Sequence, residues 1–433
     1  MTRAYLVLLP LGVVEDLGWL TPLVTAVIAF LFIGLDAAGR DIETSFEDDV
    51  SDTPMTALCR TIEINLRQML GETELPLPFS LEMGFSTEVV TTTGRIPLFE
   101  NVRGLLITLV VMGHALEPLL GREPLAKALY SGLYLFHIPA FAFLSGHLSR
   151  ADSGPRALGA IAWGQLAPLA VFQVLYVAFD AWVLGRGWSS HWLVQPYWLL
   201  WFLLSLGCWR LMLPLLLRLP RPLMWAVALA LVAGLLPWVG YLFGLSRTFV
   251  FLPCFVAGYL TRREWLLAPR YTRGWRFVLA ASLAVGLGAC VGAVAMGLLP
   301  APAPQWLYGS SGYGVLGATA LTGMAARAAL FCGALALTWA LFTLSPRQES
   351  ALTRLGGRSL APFLLHGFVV RAAEHVGAYA FLQGPVGVAL ALGAGALLTV
   401  LLSHPHVVQA TRPLWEPRWL FQRTRDAVPG LGR

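Results

Sequence analysis

Continuous apolar runs of about 20 residues follow one another along most of this chain, separated by short polar loops. Ten such runs lie beyond residue 98: 102–120, 130–148, 157–182, 194–217, 223–241, 248–261, 275–298, 324–344, 359–380 and 385–403. A run of that length matches a helix that crosses the roughly 30 Å core of a bilayer. Spanning strands would alternate apolar and polar residues, and these runs do not. The sequence therefore predicts an all-α polytopic membrane protein, and its sixth run is short enough to be tilted or partly re-entrant.

The charges in the loops predict an orientation for these spans. Arginine is concentrated in the loops after the second, fourth, sixth, eighth and tenth runs, whereas the loops after the seventh and ninth carry no charge. Arginine-rich loops stay in the cytoplasm. We therefore expect both ends of this ten-span module to be cytoplasmic and the protein to lie in the inner (plasma) membrane.

The first 97 residues have a different character from the rest. Their net charge is −9, whereas residues 98–433 carry +15. A change of that size indicates two modules. The predicted organisation is a one-span segment at 1–76, a linker rich in proline, glycine and threonine at 77–97, a ten-span membrane domain at 98–405, and a cytoplasmic tail at 406–433.

Arginine and histidine share one face of the first span. Arg103 and His114 are eleven residues apart, which is about three helical turns or roughly 16 Å along the axis. Ionisable side chains within a membrane are costly and usually functional. Imidazole changes its protonation near neutral pH, so His114 is a candidate proton acceptor and Arg103 a candidate anion-binding group.

Other polar or aromatic residues in the spans have two interpretations. His137 is more typical of a structural side chain that bonds a carbonyl freed by Pro139, and His366 is equally compatible with structure and function. Trp201 suits an interfacial anchor, with a sugar-stacking surface as the alternative. Arg371 and Glu374 have the i, i+3 spacing of a mutual ion pair. The pair at 145–146, Ser-Gly, favours close helix packing over a nucleophile.

Four motifs carry a family resemblance over about residues 98–405. In order they are N-x-R-G-L-L-x-x-L-V-V-x-G-H, F-H-I-P-A-F-A-F-L-S-G, W-F-L-L-S-L and L-G-G-R-S-L-x-x-F-L-L-H. They resemble the acyltransferase-3 family of integral membrane acyltransferases, and within it the fucose 4-O-acetylase-like branch. The resemblance implies ten spans and transfer of an acetyl or other short acyl group from cytoplasmic acyl-CoA, with acetyl-CoA as the expected donor, to a hydroxyl of a sugar or glycan.

The same resemblance assigns site residues. His114 matches the family's essential histidine and Arg103 the arginine three turns before it, and we take both as catalytic. The resemblance implies that basic residues after the second span face the CoA phosphates, here Arg150 and Arg156, although Asp152 lies between them. Trp201 and His366 complete the predicted substrate-binding set. We expect no metal and no nucleic-acid partner.

A second resemblance covers about residues 4–75. The runs at 18–23, 34–36, 40–43 and 58–63 resemble the last helix and the tail of bacterial bestrophin-like anion channels. A pore needs the channel's earlier helices, so we expect a fusion remnant or a gene-model join rather than a channel. A transporter of glycans or acyl groups and a channel-related protein remain the alternatives to the enzyme.

Overall fold

A computed structural model describes residues 95–152, 154–187, 194–236, 239–267 and 274–416, together with Arg67. The predicted N-terminal span, most of the linker and the end of the tail lie outside these residues. Two compact units make up the chain, namely residues 1–88 with 153–163, and residues 89–152 with 164–433. The site described below lies in the second unit.

Every regular element in the described part of the chain is a helix. The α-helices are α1 Pro97–Leu116, α2 Pro124–His147, α3 Pro155–Ile161, α4 Ala167–Trp182, α5 Trp201–Leu216, α6 Pro222–Ala233, α7 Leu245–Leu260, α8 Arg263–Leu267, α9 Gly274–Ala295, α10 Pro304–Tyr308, α11 Ala320–Leu344, α12 Ala351–Gly356, α13 Leu360–His375, α14 Gly384–Leu402 and α15 Pro405–Thr411. Short 3-10 turns extend some of them. Prolines occupy the first turn of many helices, where the missing N–H has no partner to lose.

Seven of the described helices are long and apolar enough to cross a bilayer, which confirms the prediction of an all-α polytopic membrane protein. Their bounds are Pro97–Leu119, Pro124–His147, Ala157–Trp182, Leu242–Leu260, Gly274–Ala295, Ala320–Leu344 and Gly384–Leu402. The other three predicted runs fold as the shorter helices α5, α6 and α13.

The sixth predicted run is longer than its sequence pattern indicates. A 3-10 turn at Leu242–Gly244 precedes α7, so the helical segment covers 19 residues. Phe243 and Gly244 both have positive φ, at 48° and 63°, and Arg247 follows one turn later. The left-handed residues and the arginine interrupt the apolar pattern, so the start of the helical segment predicted from the sequence, residue 248, was too late.

Glycines bring α2 and α7 into backbone contact. A Cβ added to Gly146 would lie 1.9 Å from the carbonyl oxygen of Phe255, and one added to Gly258 would lie 1.9 Å from that of Phe143. No larger side chain fits at either place, since real Cβ contacts are never that short. The prediction that the Ser-Gly pair at 145–146 serves close packing is confirmed, because small residues let the helices meet.

Asn101 fixes the N-terminal part of α1 to α12. Its amide donates to the carbonyls of Pro346 and Gln348 at 2.9 and 2.8 Å, and its oxygen accepts from the hydroxyls of Ser350 and Thr353 at 2.7 and 2.6 Å. The side chain is fully buried with its hydrogen-bonding capacity used. The asparagine of the N-x-R-G motif therefore holds in place the helix that carries Arg103 and His114.

Candidate active site

His114 lies near the end of α1, and its ring is oriented by a carboxylate on the next turn. The Nδ1 atom is 3.1 Å from Oε1 of Glu117, three residues further along. A carboxylate only accepts hydrogen bonds, so Nδ1 carries the proton and Nε2 is left as the basic nitrogen. The residue is largely buried, at 9% exposure. This geometry suits a general base whose tautomer is set by its partner.

Two tyrosines of α2 hold Glu117 in turn. The hydroxyls of Tyr130 and Tyr134 donate to the same Oε1 atom at 3.0 and 3.2 Å. The hydroxyl of Tyr308 lies 2.8 Å from that of Tyr130, and burial raises the pKa of Tyr308 to about 12, so this phenol stays protonated at neutral pH. Three donors, His114 included, converge on one oxygen of Glu117. Such an arrangement stabilises an ionised carboxylate.

Aromatic rings enclose the imidazole of His114. The ring centroid of Trp198 is 4.4 Å away and that of His366 is 5.1 Å away. Trp198 has a positive φ of 27°, which is rare for a bulky residue, and strained backbone of this kind is concentrated at functional sites. The guanidinium of Arg371 lies 4.5 Å from the Trp198 ring centroid. Trp198 is therefore held between a cation and the candidate base.

His366 is the second imidazole at this site. Its Nδ1 donates to the carbonyl of Pro362 at 2.7 Å, and its Nε2 is buried without a hydrogen-bond partner among the described residues. The side chain has no exposed surface. An unpartnered ring nitrogen beside His114 is free to accept a hydrogen bond from a bound hydroxyl.

A cavity of about 230 Å³ connects Arg103 with His114. Its walls are mainly apolar side chains of α2, α5 and α13, together with two serine hydroxyls. Besides Arg103 and His114, the lining residues are Val110, Ile138, Phe141, Ser145, Leu199, Trp201, Phe202, Leu203, Leu206, Ser359, Leu360 and Phe363. Pockets for drug-sized ligands start at about 300 Å³, so this cavity suits a short acyl group with part of its carrier arm.

Arg103 lines the cavity at the end away from His114, with a carboxylate beside it. Its guanidinium donates to both oxygens of Glu100 at 3.0 and 3.1 Å. Glu100 is buried, and the side chain of Arg103 is 25% exposed. The pair is locally neutral, which offsets the cost of a charge within the membrane. The remaining donors of the guanidinium are available to a ligand.

The other predicted substrate-binding residues lie in different surroundings. Trp201 begins α5, lines the cavity and is 9% exposed, so it is a buried wall residue rather than a side chain at the membrane surface. His366 packs against His114. Arg150 is exposed in the loop after α2 and does not line the cavity. The side chain of Arg156 lies outside the described residues.

Arg371 and His137 both make contacts of the structural kind. Arg371 and Glu374 form the predicted ion pair, at 3.2 Å. His137 bonds a backbone carbonyl through Nδ1, as a structural side chain would, but the acceptor is Leu133 at 2.6 Å. The carbonyl that Pro139 frees belongs to residue 135, four positions before it. The specific prediction that His137 satisfies that carbonyl was therefore wrong.

Sequence reasoning missed Glu117 and the aromatic residues around it. The i, i+3 spacing of Glu117 from His114 was visible and is the signal that would have found it. The tyrosine partners come from another helix, at positions 130 and 134, one turn apart on α2. Trp198 precedes α5 in an irregular segment, and no local pattern predicts its contact with His114.

Comparison with known families identifies the domain that carries this site. The fold is that of an all-α polytopic membrane protein. A family model described as "Acyltransferase domain" matches residues 97–404, more than half of the chain. The chain belongs to this family, which confirms the acyltransferase-3 resemblance predicted from the four motifs. A second model, "Bacterial/Fungal Bestrophin protein", matches residues 1–68 and confirms the N-terminal resemblance.

Curated relatives divide in the same way between the two parts. The voltage-dependent anion channel-forming protein of Mesorhizobium japonicum is 45% identical over 71 residues, 16% of this chain and 23% of that protein. Its Escherichia coli counterpart YneE is 38% identical over 72 residues, 17% and 24%. The nodulation protein NolL of Sinorhizobium fredii is 31% identical over 122 residues, 25% and 33%. The chain thus spans a quarter to a third of the length of these relatives. No solved structure matches.

Proposed function

We propose that this chain is an integral membrane O-acyltransferase that moves an acetyl or other short acyl group from acyl-CoA to a hydroxyl of a sugar or glycan. The observation that carries the proposal is the cavity between Arg103 and His114, with His114 oriented by Glu117. It supplies a buried path for a small acyl group and a base at its inner end. Family membership supports acyl transfer in general, and the donor and acceptor are part of the proposal.

The transfer step needs one proton acceptor at the attacking oxygen. Nε2 of His114 takes the proton of the acceptor hydroxyl as that oxygen attacks the thioester carbonyl, and a new C–O bond forms. The C–S bond then breaks, and the imidazolium returns its proton to the leaving thiolate of CoA. Glu117 keeps the ring in the required tautomer and stabilises the imidazolium, as the carboxylate does in serine hydrolases.

Arg103 is the proposed contact for the acyl donor at the far end of the cavity. A guanidinium presents a fork of N–H donors that fits phosphate oxygens or polarises a carbonyl. The cavity holds only a short group, so the nucleotide of CoA lies outside it. Arg150 and Arg156 remain the proposed contacts for the CoA phosphates in the loop after α2.

Trp201 and His366 are proposed to contact the acceptor. Trp201 forms part of the cavity wall, and aromatic faces stack well on the apolar faces of sugar rings. The buried Nε2 of His366 is a hydrogen-bond acceptor without a partner among the described residues, close to the ring of His114. A hydroxyl bound between the two imidazoles would be positioned for deprotonation.

The proposed setting is the inner (plasma) membrane, with both ends of the module in the cytoplasm. Arginine-rich loops after every second span support this orientation. In it, the N-terminal end of α1 and Arg103 face cytoplasmic acyl-CoA, and the end with Glu117 and Tyr130 faces the opposite side.

Release of CoA tests the proposal directly. Purified full-length protein in lipid nanodiscs is incubated with acetyl-CoA and a panel of sugars, and free thiol and acetylated sugar are quantified. Acyl transfer predicts equal amounts of both products, dependent on the sugar. A transporter of glycans or acyl groups, or a channel-related protein, would release no thiol, and anion flux in liposomes without thiol release would favour the latter.

A further inference from the structure

Arg247 lies in the first turn of α7 with aromatic rings on both sides. Its guanidinium carbon is 5.0 Å from the ring centroid of Trp201 and 5.2 Å from that of Tyr241. The hydroxyl of Tyr241 accepts from Ser310 at 3.1 Å, and Tyr308, two residues earlier, contacts the phenol of Tyr130. Arg247 therefore lies at the end of the module that carries Glu117.

Among the described residues, the side chain of Tyr241 is the hydrogen-bond partner of this arginine, and no carboxylate or backbone carbonyl there accepts from it. Its Nε atom is buried and has no hydrogen-bond partner among the same residues. Tyr241, one of its two ring neighbours, is 47% exposed. Arg247 thus contacts one buried ring, that of Trp201, and one ring that reaches the surface, that of Tyr241. A ligand that enters from the surface could reach it.

Two other arginines stacked on aromatic rings show what a satisfied cation looks like in this protein. Arg327 lies 4.6 Å from the ring centroid of Tyr313 and donates to the carbonyls of Ala230 and Ser311 at 3.0 and 3.1 Å. Arg371 stacks on Trp198 and pairs with Glu374. Each has an oxygen acceptor for its guanidinium in addition to the ring. Arg247 differs from both because its partner among the described residues is a neutral phenol, with no carbonyl or carboxylate acceptor there.

A largely buried guanidinium such as that of Arg247 is stabilised by a nearby anion. Charged groups within a membrane protein are stable when they are paired. The first turn of a helix adds a partial positive charge, which makes an additional cation there less favourable and a bound anion more favourable. The described residues place no carboxylate against Arg247, so this cation can receive an anionic ligand.

We propose that Arg247 binds an anionic group, carboxylate or phosphate, of a hydroxyl-bearing acceptor. This inference rests on the proposed acyl transfer and specifies its acceptor. Trp201 connects the two sites, because its ring packs against Arg247 and also lines the cavity that ends at His114. An acceptor anchored on Arg247 by its charge would lie along this ring and present a hydroxyl toward His114.

Binding of matched sugars tests this without relying on turnover. The full chain in nanodiscs of zwitterionic phosphatidylcholine is titrated calorimetrically with glucose, glucuronate and glucose 6-phosphate, which differ in charge at one end. We expect one or both anionic sugars to bind about 10- to 100-fold more tightly than glucose, the worth of a charge-assisted hydrogen-bond pair. Which of the two binds more tightly distinguishes carboxylate from phosphate.

Variants identify the residue responsible. R247Q is expected to bind the anionic sugars no better than glucose, and R247K to keep part of the preference because a lysine retains charge but lacks the fork. The control R122Q removes an exposed arginine at the same end of the module, which donates to backbone carbonyls of Tyr379 and Leu382, and should keep the full preference.

Two results would overturn the inference: no preference for either anionic sugar in the unaltered protein, or a full preference in R247Q. If R247Q does not fold, an R247K protein with undiminished affinity would count against it. Acyl transfer is judged separately. A preference for anionic sugars without thiol release would refute the proposed reaction and leave this binding site in place. Thiol release without that preference would support the proposed reaction and refute the binding site.

Discussion

At the scale of single residues, the site depends on a chain of hydrogen bonds rather than on His114 alone. Glu117 accepts from His114, Tyr130 and Tyr134 on one oxygen atom. Each donor is drawn from α1 or α2, two helices that pack together. The carboxylate therefore connects the candidate base to a rigid scaffold, and its removal should affect the chemistry more than the binding of the acyl donor.

Replacing Glu117 with glutamine should reduce kcat about 10- to 100-fold, with little change in the KM for acyl-CoA. The neutral amide no longer stabilises the imidazolium, and it can turn its NH₂ group toward His114 and favour the wrong tautomer. Steady-state kinetics of thiol release measures both constants. E349Q, at an exposed glutamate, is the matched control and should behave as the unaltered protein does. A rise in KM with kcat unchanged would instead make Glu117 a binding residue.

The residue scale is also where sequence reasoning reached its limit. Arg103 and His114 could be found because three helical turns bring them to one face of one helix, which is a local property. The contacts of His114 with Trp198 and His366 join residues far apart in the chain. Neither periodicity nor hydropathy contains that information. The burial of Trp201 was missed for the same reason, since a tryptophan at a helix end looks like an interfacial anchor.

At the scale of helices, close approach of backbones sets the positions of the side chains. Gly146 and Gly258 meet between α2 and α7. Gly104 brings the backbone of α1 against that of α12, because a Cβ at Gly104 would lie 2.2 Å from the carbonyl oxygen of Leu352. These contacts hold α1 and α2 in fixed positions, and with them the two ends of the cavity.

Substituting Gly258 with alanine should destabilise the protein by more than about 1–3 kcal/mol, the usual cost of overpacking, because the added methyl meets a backbone oxygen that cannot rotate away. Thermal unfolding in detergent should show a clear fall in Tm. The same change at Gly288 of α9, where an added Cβ meets nothing within 4 Å, is the control. It should leave Tm unchanged or raise it slightly through helix propensity. Equal stability of the two variants would contradict the close packing of α2 against α7.

The helices themselves were largely predictable from sequence. Membrane spans can be predicted from length and hydropathy, which are local properties of the sequence. Seven of the ten predicted runs form helices of full spanning length. Helix ends were less predictable. The pattern around Gly244 and Arg247 is polar enough to hide the start of α7, and α6 is only 12 residues long although its apolar run covers nearly twenty.

At the scale of the whole molecule, two modules of opposite charge are joined in one chain. The acyltransferase family model matches 97–404, and all candidate site residues lie within that range. The bestrophin match ends at residue 68, and it covers about a quarter of the channel proteins concerned.

Deleting residues 1–90 should leave acyl transfer largely intact, because Arg103, His114 and Glu117 all belong to the second module. Orientation should also persist, since the arginine-rich loops lie downstream. Thiol release per mole of correctly inserted, folded truncation is the quantity to compare. Complete loss of activity in such a protein would mean that the two modules act together, and the remnant interpretation would be abandoned.

The proposed orientation predicts the outcome of reporter fusions. A reporter fused after Arg425 should report the cytoplasm, because arginine-rich segments stay on that side. One inserted at Pro302, in the uncharged loop between α9 and α11, should report the opposite side. An insertion at Pro302 disrupts the fold less than one at Ser310 in the same loop, because Pro302 is exposed and Ser310 is buried. Cytoplasmic localisation of the Pro302 reporter would overturn both the span count and the side assigned to Arg103.

His114 is the proposed base that activates the acceptor hydroxyl. Its most direct test is transfer of labelled acetyl from acetyl-CoA to the best sugar acceptor by the purified protein and by H114A, with H375A, which alters an exposed histidine at the end of α13, as control. We expect H114A to fold and insert normally but to transfer about 10²- to 10⁴-fold more slowly, because one proton acceptor usually contributes that much. H375A should retain full activity. Normal transfer by a well-folded H114A protein would exclude His114 as the base.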